Sequence, residues 1–155
     1  MASHKVYTCQ NCSTLNTAVL EKTSLLICKN CGTLVAENSK GIKPLFTKVP
    51  DDWSFMKLGT TAVYQEEPVT VVGHIRLQLR NAYKNFWCAA YSNGKNIWLM
   101  ESFASFSVFN PAWHNYQGSV SDLRAGVAIE MEKDVKYKGE YVEKCESISF
   151  SGEIG

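Results

Sequence analysis

Two cysteine pairs constrain this chain more than anything else in it: Cys9-Gln10-Asn11-Cys12, then fifteen intervening residues, then Cys28-Lys29-Asn30-Cys31-Gly32. Each C-x-x-C puts two thiols on one tight turn, and two such turns can close four sulfurs tetrahedrally on Zn²⁺ at roughly 2.3 Å per bond. The spacing predicts a zinc ribbon, with one structural Zn²⁺ held by Cys9, Cys12, Cys28 and Cys31. A redox C-x-x-C belongs at a helix N-terminus after a strand, and two pairs at ribbon spacing do not fit that pattern. A catalytic zinc keeps one coordination position for water, whereas four thiolates fill all of them. So small a segment cannot build a sufficient core, so its folding should be coupled to metal binding.

Around the knuckles, Lys5-Val6-Tyr7-Thr8 reads as an entering strand, and Thr17–Leu20 and Ser24–Ile27 read as a hairpin that delivers the second pair. Gly32 follows the last ligand, where a turn needs positive φ or close backbone approach. Six cysteines could form a disulfide framework in a secreted chain, but Cys88 and Cys145 lie far from the knuckles in strand-like sequence. Zinc in a reducing compartment explains the set better. Met1-Ala2-Ser3-His4-Lys5 is polar and carries no apolar signal region, no later run is long enough to cross a bilayer, and the expectation is a soluble, cytoplasmic protein. The formal net charge of +1 falls to about −1 once four thiolates and one Zn²⁺ are counted, which argues against a generally basic nucleic-acid surface.

The chain divides into a ribbon at 1–40, a linker packed on the body at 41–58, and a β body at 59–155. Glu37-Asn38-Ser39-Lys40-Gly41 is polar and turn-rich, and Pro44 and Pro50 interrupt the residues after it. Trp53, Phe55 and Leu58 are spaced as anchors for the end of the linker. This division predicts that Cys28→Ser releases zinc and unfolds the ribbon while the body keeps its β spectrum.

In the body the hydrophobic period is two residues almost throughout, so the fold class is mainly β, an antiparallel sandwich or small barrel. In Val72–Arg80 the apolar Ile75, Leu77 and Leu79 take one face, and His74, Arg76, Gln78 and Arg80 take an exposed one. Asn85–Tyr91 and Asn96–Met100 flank Ser92-Asn93-Gly94-Lys95, a strong hairpin signal, and Trp87 and Trp98 read as core fillers. A further strand follows at Phe103–Phe109, then a long loop, 110–118, and last strands at Gly126–Glu130, Asp134–Tyr137 and Glu140–Phe150. No helix longer than a few turns is required.

Lys57-Leu58-Gly59-Thr60-Thr61, Val71-Val72-Gly73-His74-Ile75-Arg76, Trp87, Asn93-Gly94, Trp98-Leu99 and Ser151-Gly152-Glu153-Ile154 follow the cysteine pairs in an order that resembles the bacterial domain of unknown function family numbered 4178. The resemblance runs from about Leu58 to Ile154, with the ribbon that many members carry in front. It implies a bacterial, β-rich protein with no established activity or catalytic residue. A basic residue often stands in that family where this chain has His74, so no role passes to it.

The functional reading is a non-catalytic zinc-binding adaptor or protein-interaction module, whose partner is another protein bound through the ribbon, the Trp113 loop or a sheet edge. Trp113, His114 and Tyr116 are the nominated binding residues, because aromatics beside a histidine in a long loop suit recognition. One rival is a nucleic-acid-binding ribbon protein using Lys22, Lys29, Arg76 and Arg80; Glu21 and Glu37 partly offset these charges, and no aromatic platform stands beside the ribbon lysines. The other is a hydrolase or transferase using His114 or Cys145, for which no nucleophile, base and orienting group assemble.

Overall fold

The computed structural model describes residues 5–35, 54–103, 105–110, 128–132, 135–138 and 147–155, the two strands between 128 and 138 by their backbone alone. Among these residues the regular structure is all strand: β1 (Lys5–Thr8), β2 (Leu15–Ala18), β3 (Leu25–Ile27), β4 (Leu34–Val35), β5 (Thr61–Tyr64) and β6 (Glu67–Gln78). β7 (Tyr83–Tyr91), β8 (Asn96–Ser102), β9 (Ser105–Phe109), β10 (Ala128–Glu132), β11 (Val135–Lys138) and β12 (Ser147–Ile154) complete the set. Every pairing is antiparallel. No helix among the described residues is long and apolar enough to cross a membrane.

One sheet of eight strands organises the molecule, in the order β4-β3-β12-β6-β7-β8-β9 with β5 beside β6. β1 with β2 and β10 with β11 form separate two-stranded sheets. The central strand β7 carries Cys88-Ala89-Ala90, and small side chains on both faces of a pleat let covering segments approach closely. On one face Met56 joins Val69, Val71, Trp87, Ala89 and Ile97 in a buried cluster flanked by Tyr64, Tyr91 and Leu99. On the other, Leu20 from the segment after β2 packs on Cys88 and Ala90, with Val72 and Trp98 alongside. Burying side chains of this size is worth roughly 1.5–3 kcal/mol each, which favours both covering segments staying in place.

Several local expectations change. β2 pairs with β1 and not with β3, because residues 19–24 leave the ribbon to reach the body and only then return as β3. Of the expected linker anchors, Leu58 is exposed and Phe55 is 71% exposed, its ring tilted against that of Phe106 with the centroids 5.4 Å apart. The residue that docks is Met56, which is buried in a cluster with Val69, Val71, Trp87, Ala89 and Ile97 and whose flexible thioether suits an irregular packing site. Trp53 and the 40/41 boundary lie outside the described residues.

The Asn93-Gly94 hairpin forms with a three-residue loop: Tyr91 N donates to Lys95 O at 2.9 Å and Gly94 takes φ 84°. A left-handed glycine closing a bulged turn is the second commonest hairpin solution after the two-residue turn. The β5–β6 hairpin had no such sequence signal, since Gln65 and Glu66 both take positive φ, 51° and 66°, at positions that favour Asn and Gly.

Where β12 crosses from body to ribbon, two glycines face each other. Gly152 pairs with Gly73 next to a bulge at Val71–Gly73 and takes φ 72°. A Cβ on Gly73 would overlap the Glu153 carbonyl, and one on Gly152 would overlap the Val72 carbonyl. Beyond this point β12 stops pairing with β6 and pairs with β3, through Glu153↔Leu26 and Ile154↔Leu25. The strand that closes the body sheet thus becomes the floor of the ribbon.

Candidate metal centre

The two knuckles are copies of one local structure. Cys9-Gln10-Asn11-Cys12-Ser13-Thr14 and Cys28-Lys29-Asn30-Cys31-Gly32-Thr33 share the pattern C-x-N-C-(S/G)-T. In each, the residue after the second cysteine donates its N–H to the first cysteine's carbonyl, Ser13 to Cys9 at 2.8 Å and Gly32 to Cys28 at 2.9 Å. That closure needs the left-handed conformation, φ 59° at Ser13 and 70° at Gly32, which glycine adopts freely and serine at a cost. The first cysteine's N–H is taken by the threonine carbonyl, Cys9 by Thr14 and Cys28 by Thr33.

This arrangement gathers the four sulfurs of Cys9, Cys12, Cys28 and Cys31 within 4.8 Å of one another. Two cross-knuckle contacts, Cys9 Sγ to Cys31 Sγ and Cys12 Sγ to Cys28 Sγ, are each 3.6 Å. A disulfide would require about 2.05 Å. A tetrahedron of sulfurs bonded at ~2.3 Å to a central ion has edges of about 3.8 Å. The cluster therefore has the size of a four-thiolate metal site, and all five described cysteines are free thiols.

The surroundings favour thiolates. Thr33 Oγ1 lies 3.1 Å from Cys31 Sγ, and Thr14 Oγ1 lies 3.3 Å from Cys12 Sγ. Hydrogen bonding by the Thr33 hydroxyl, the Asn11 side chain and the Thr33 backbone lowers the Cys31 thiol to about 5 in the metal-free protein. Cys12 is also lowered, first by Thr14 and then by Asn30. Each asparagine thus serves the opposite knuckle's second cysteine. Asn16 accepts from Lys29 N at 3.0 Å and places its Nδ2 3.5 Å from Cys28 Sγ. Burial instead pushes Cys9 up to about 11, an unfavourable setting for an anion unless a cation lies beside it.

A second polar cluster lies on the body sheet, where the sequence predicts an exposed face. His74 is 4% exposed and stacks on Trp87 at 3.7 Å with the rings 8° from parallel. Its Nε2 is 3.0 Å from Asn85 Oδ1, Asn85 Nδ2 donates to Glu101 Oε2 at 3.2 Å, and Trp87 Nε1 donates to the same oxygen at 3.1 Å. Because Asn85 gives its amide to the carboxylate, its carbonyl faces the imidazole, so His74 carries its proton on Nε2. Arg76 lies over the Tyr83 ring at 3.9 Å. Period-two patterning assigns residues to faces, and this face is the one on which Val71, Trp87 and Ala89 cluster with Met56.

Trp113, His114, Tyr116 and Cys145, nominated from the sequence, lie outside the described residues. Cys88, raised by desolvation, sits at 0% exposure under Leu20 and stands apart from the metal cluster. The gathering of the four cysteines was legible from spacing, and the repeated asparagines and threonines could have been read with it. Glu153, which joins the site to the body, offers no local signal. No family model matches this sequence, and no curated protein or solved structure matches it either.

Proposed function

We propose that this chain is a non-catalytic zinc-binding adaptor in which one structural Zn²⁺ per chain, held by Cys9, Cys12, Cys28 and Cys31, shapes a surface that binds another protein. The observation that carries this reading is the completeness of the ligand set. Four sulfurs at tetrahedral separations, with amide and hydroxyl donors around them, leave no coordination position for water or substrate. Tetrahedral sulfur suits Zn²⁺ or a single iron, and Zn²⁺ is the redox-silent choice for a support. A reducing compartment, the cytoplasm, keeps such thiols available.

Membership of the bacterial domain of unknown function family 4178 belongs to the same proposal and rests on the order of its motifs. So does the nomination of Trp113, His114 and Tyr116 as recognition residues. Native mass spectrometry of gently purified, untagged protein tests the metal first. One zinc per chain is expected, and a folded, metal-free chain or a coloured iron form overturns the assignment. For the adaptor role, a co-purifying protein should bind the wild type and be lost from a Trp113→Ala, Tyr116→Ala variant or from Cys28→Ser. Substrate turnover abolished by His114→Ala or Cys145→Ala would replace the adaptor with an enzyme.

A further inference from the structure

Between the knuckles the chain makes a detour that one carboxylate of the body ties down through three hydrogen bonds. Glu153 is 3% exposed. Its Oε2 accepts from Val19 N at 2.8 Å, and its Oε1 accepts from Leu20 N at 2.9 Å and from Thr23 Oγ1 at 2.7 Å. A buried carboxylate without such donors is strongly unfavourable, so residues 19–23 and the end of β12 hold their conformations together. Immediately after the detour, Ser24 N donates to Ile154 O at 2.7 Å, and Leu25 and Leu26 pair with Ile154 and Glu153. Cys28 comes directly after β3. Within the same detour, Leu20 covers the fully buried Cys88, and Glu21 N donates to Gly94 O at 2.8 Å in the β7–β8 hairpin.

We propose that Glu153 is a positioning residue for the metal centre: it fixes the detour and β3, and through them the place of Cys28, so that metal affinity is set partly by the body sheet. Linkage makes the effect reciprocal, and metal loading in turn holds the detour down over Cys88. This rests on the metal reading above. It also runs against a ribbon that unfolds alone, because β3 shares a strand with the body.

The test uses the full chain with zinc and a chromophoric chelator in competition. Glu153→Gln keeps the size of the side chain but turns one acceptor into a donor facing the Val19 amide. The variant should still bind one zinc, with affinity reduced about tenfold, the equivalent of ~1.4 kcal/mol. Thr23→Val removes a single donor without a buried charge, folds if Glu153→Gln does not, and should weaken zinc about threefold, half of that effect on a logarithmic scale. In parallel, alkylation of Cys88 followed by mass spectrometry should be at least about tenfold faster after zinc is stripped, the signature of local opening. Zero zinc in the wild type means that the metal reading has failed. One zinc, unchanged affinity in both variants and Cys88 equally protected with and without metal overturns the positioning role and leaves the metal centre standing.

Discussion

Replacing Asn85 by alanine probes the buried polar cluster of the body. The side chain is wholly buried and accepts from His74 while donating to Glu101. Its removal takes one bond from an imidazole at 4% exposure and one from a carboxylate that still keeps Trp87 Nε1. Depriving a buried partner costs about 1–3 kcal/mol; with about 2 kcal/mol for His74 and about 1 kcal/mol for the half-buried Glu101 the sum is about 3 kcal/mol. The lost volume between two strands adds ~1 kcal/mol. With a urea dependence of about 2 kcal/mol per molar, the unfolding midpoint should fall by about 2 M. The assay is urea unfolding of metal-loaded protein, followed by tryptophan fluorescence and far-UV circular dichroism together. A loss below about 1 kcal/mol would refute the view that this cluster is a satisfied, load-sharing part of the core.

Four further outcomes are expected. In metal-free protein at pH 6, alkylation should mark Cys31 first and Cys9 last, since their thiols lie at about 5 and about 11. The Cys31 value is depressed, so its contribution to stability is complete above the unfolded thiol range and disappears as pH falls through about 5; an acid titration of metal-free protein reads this directly. Asn11→Ala and Asn30→Ala should each weaken zinc by about tenfold with stoichiometry unchanged, because each removes a donor to the opposite knuckle's thiolate. Gln65→Asn combined with Glu66→Gly should raise stability by about 1 kcal/mol by relieving two left-handed non-glycine residues, visible as a higher melting temperature.

The four-cysteine cluster could be read from the sequence because its chemistry is local: spacing within a turn decides which sulfurs can meet. The mainly β class was legible for the same reason, since alternation in Val72–Arg80 or around Asn93-Gly94 is a short-range property. The features that escaped reading depend on distant residues. His74 alternates as a surface residue and is buried on the face where Trp87, its stacking partner, joins Met56 in the core. β2 pairs with β1 and not β3 because a carboxylate more than a hundred positions away draws residues 19–23 aside. No local pattern in Gln65-Glu66 announces a turn that tertiary contacts impose.

The near-twofold symmetry of the knuckles stops at their solvent boundary. Cys9 and Cys28, the first cysteines of each pair, are buried, while Cys12 and Cys31 are half-exposed. An ion held among them is walled in on one edge and approachable on the other. Exchange is then a directional process: a chelating ligand or an oxidant meets the Cys12–Cys31 edge first, where hydrogen bonds from the threonines and asparagines of the two knuckles favour the thiolate form. For an ion held there, the expected release starts at that edge, with the buried Cys9 and Cys28 side letting go last.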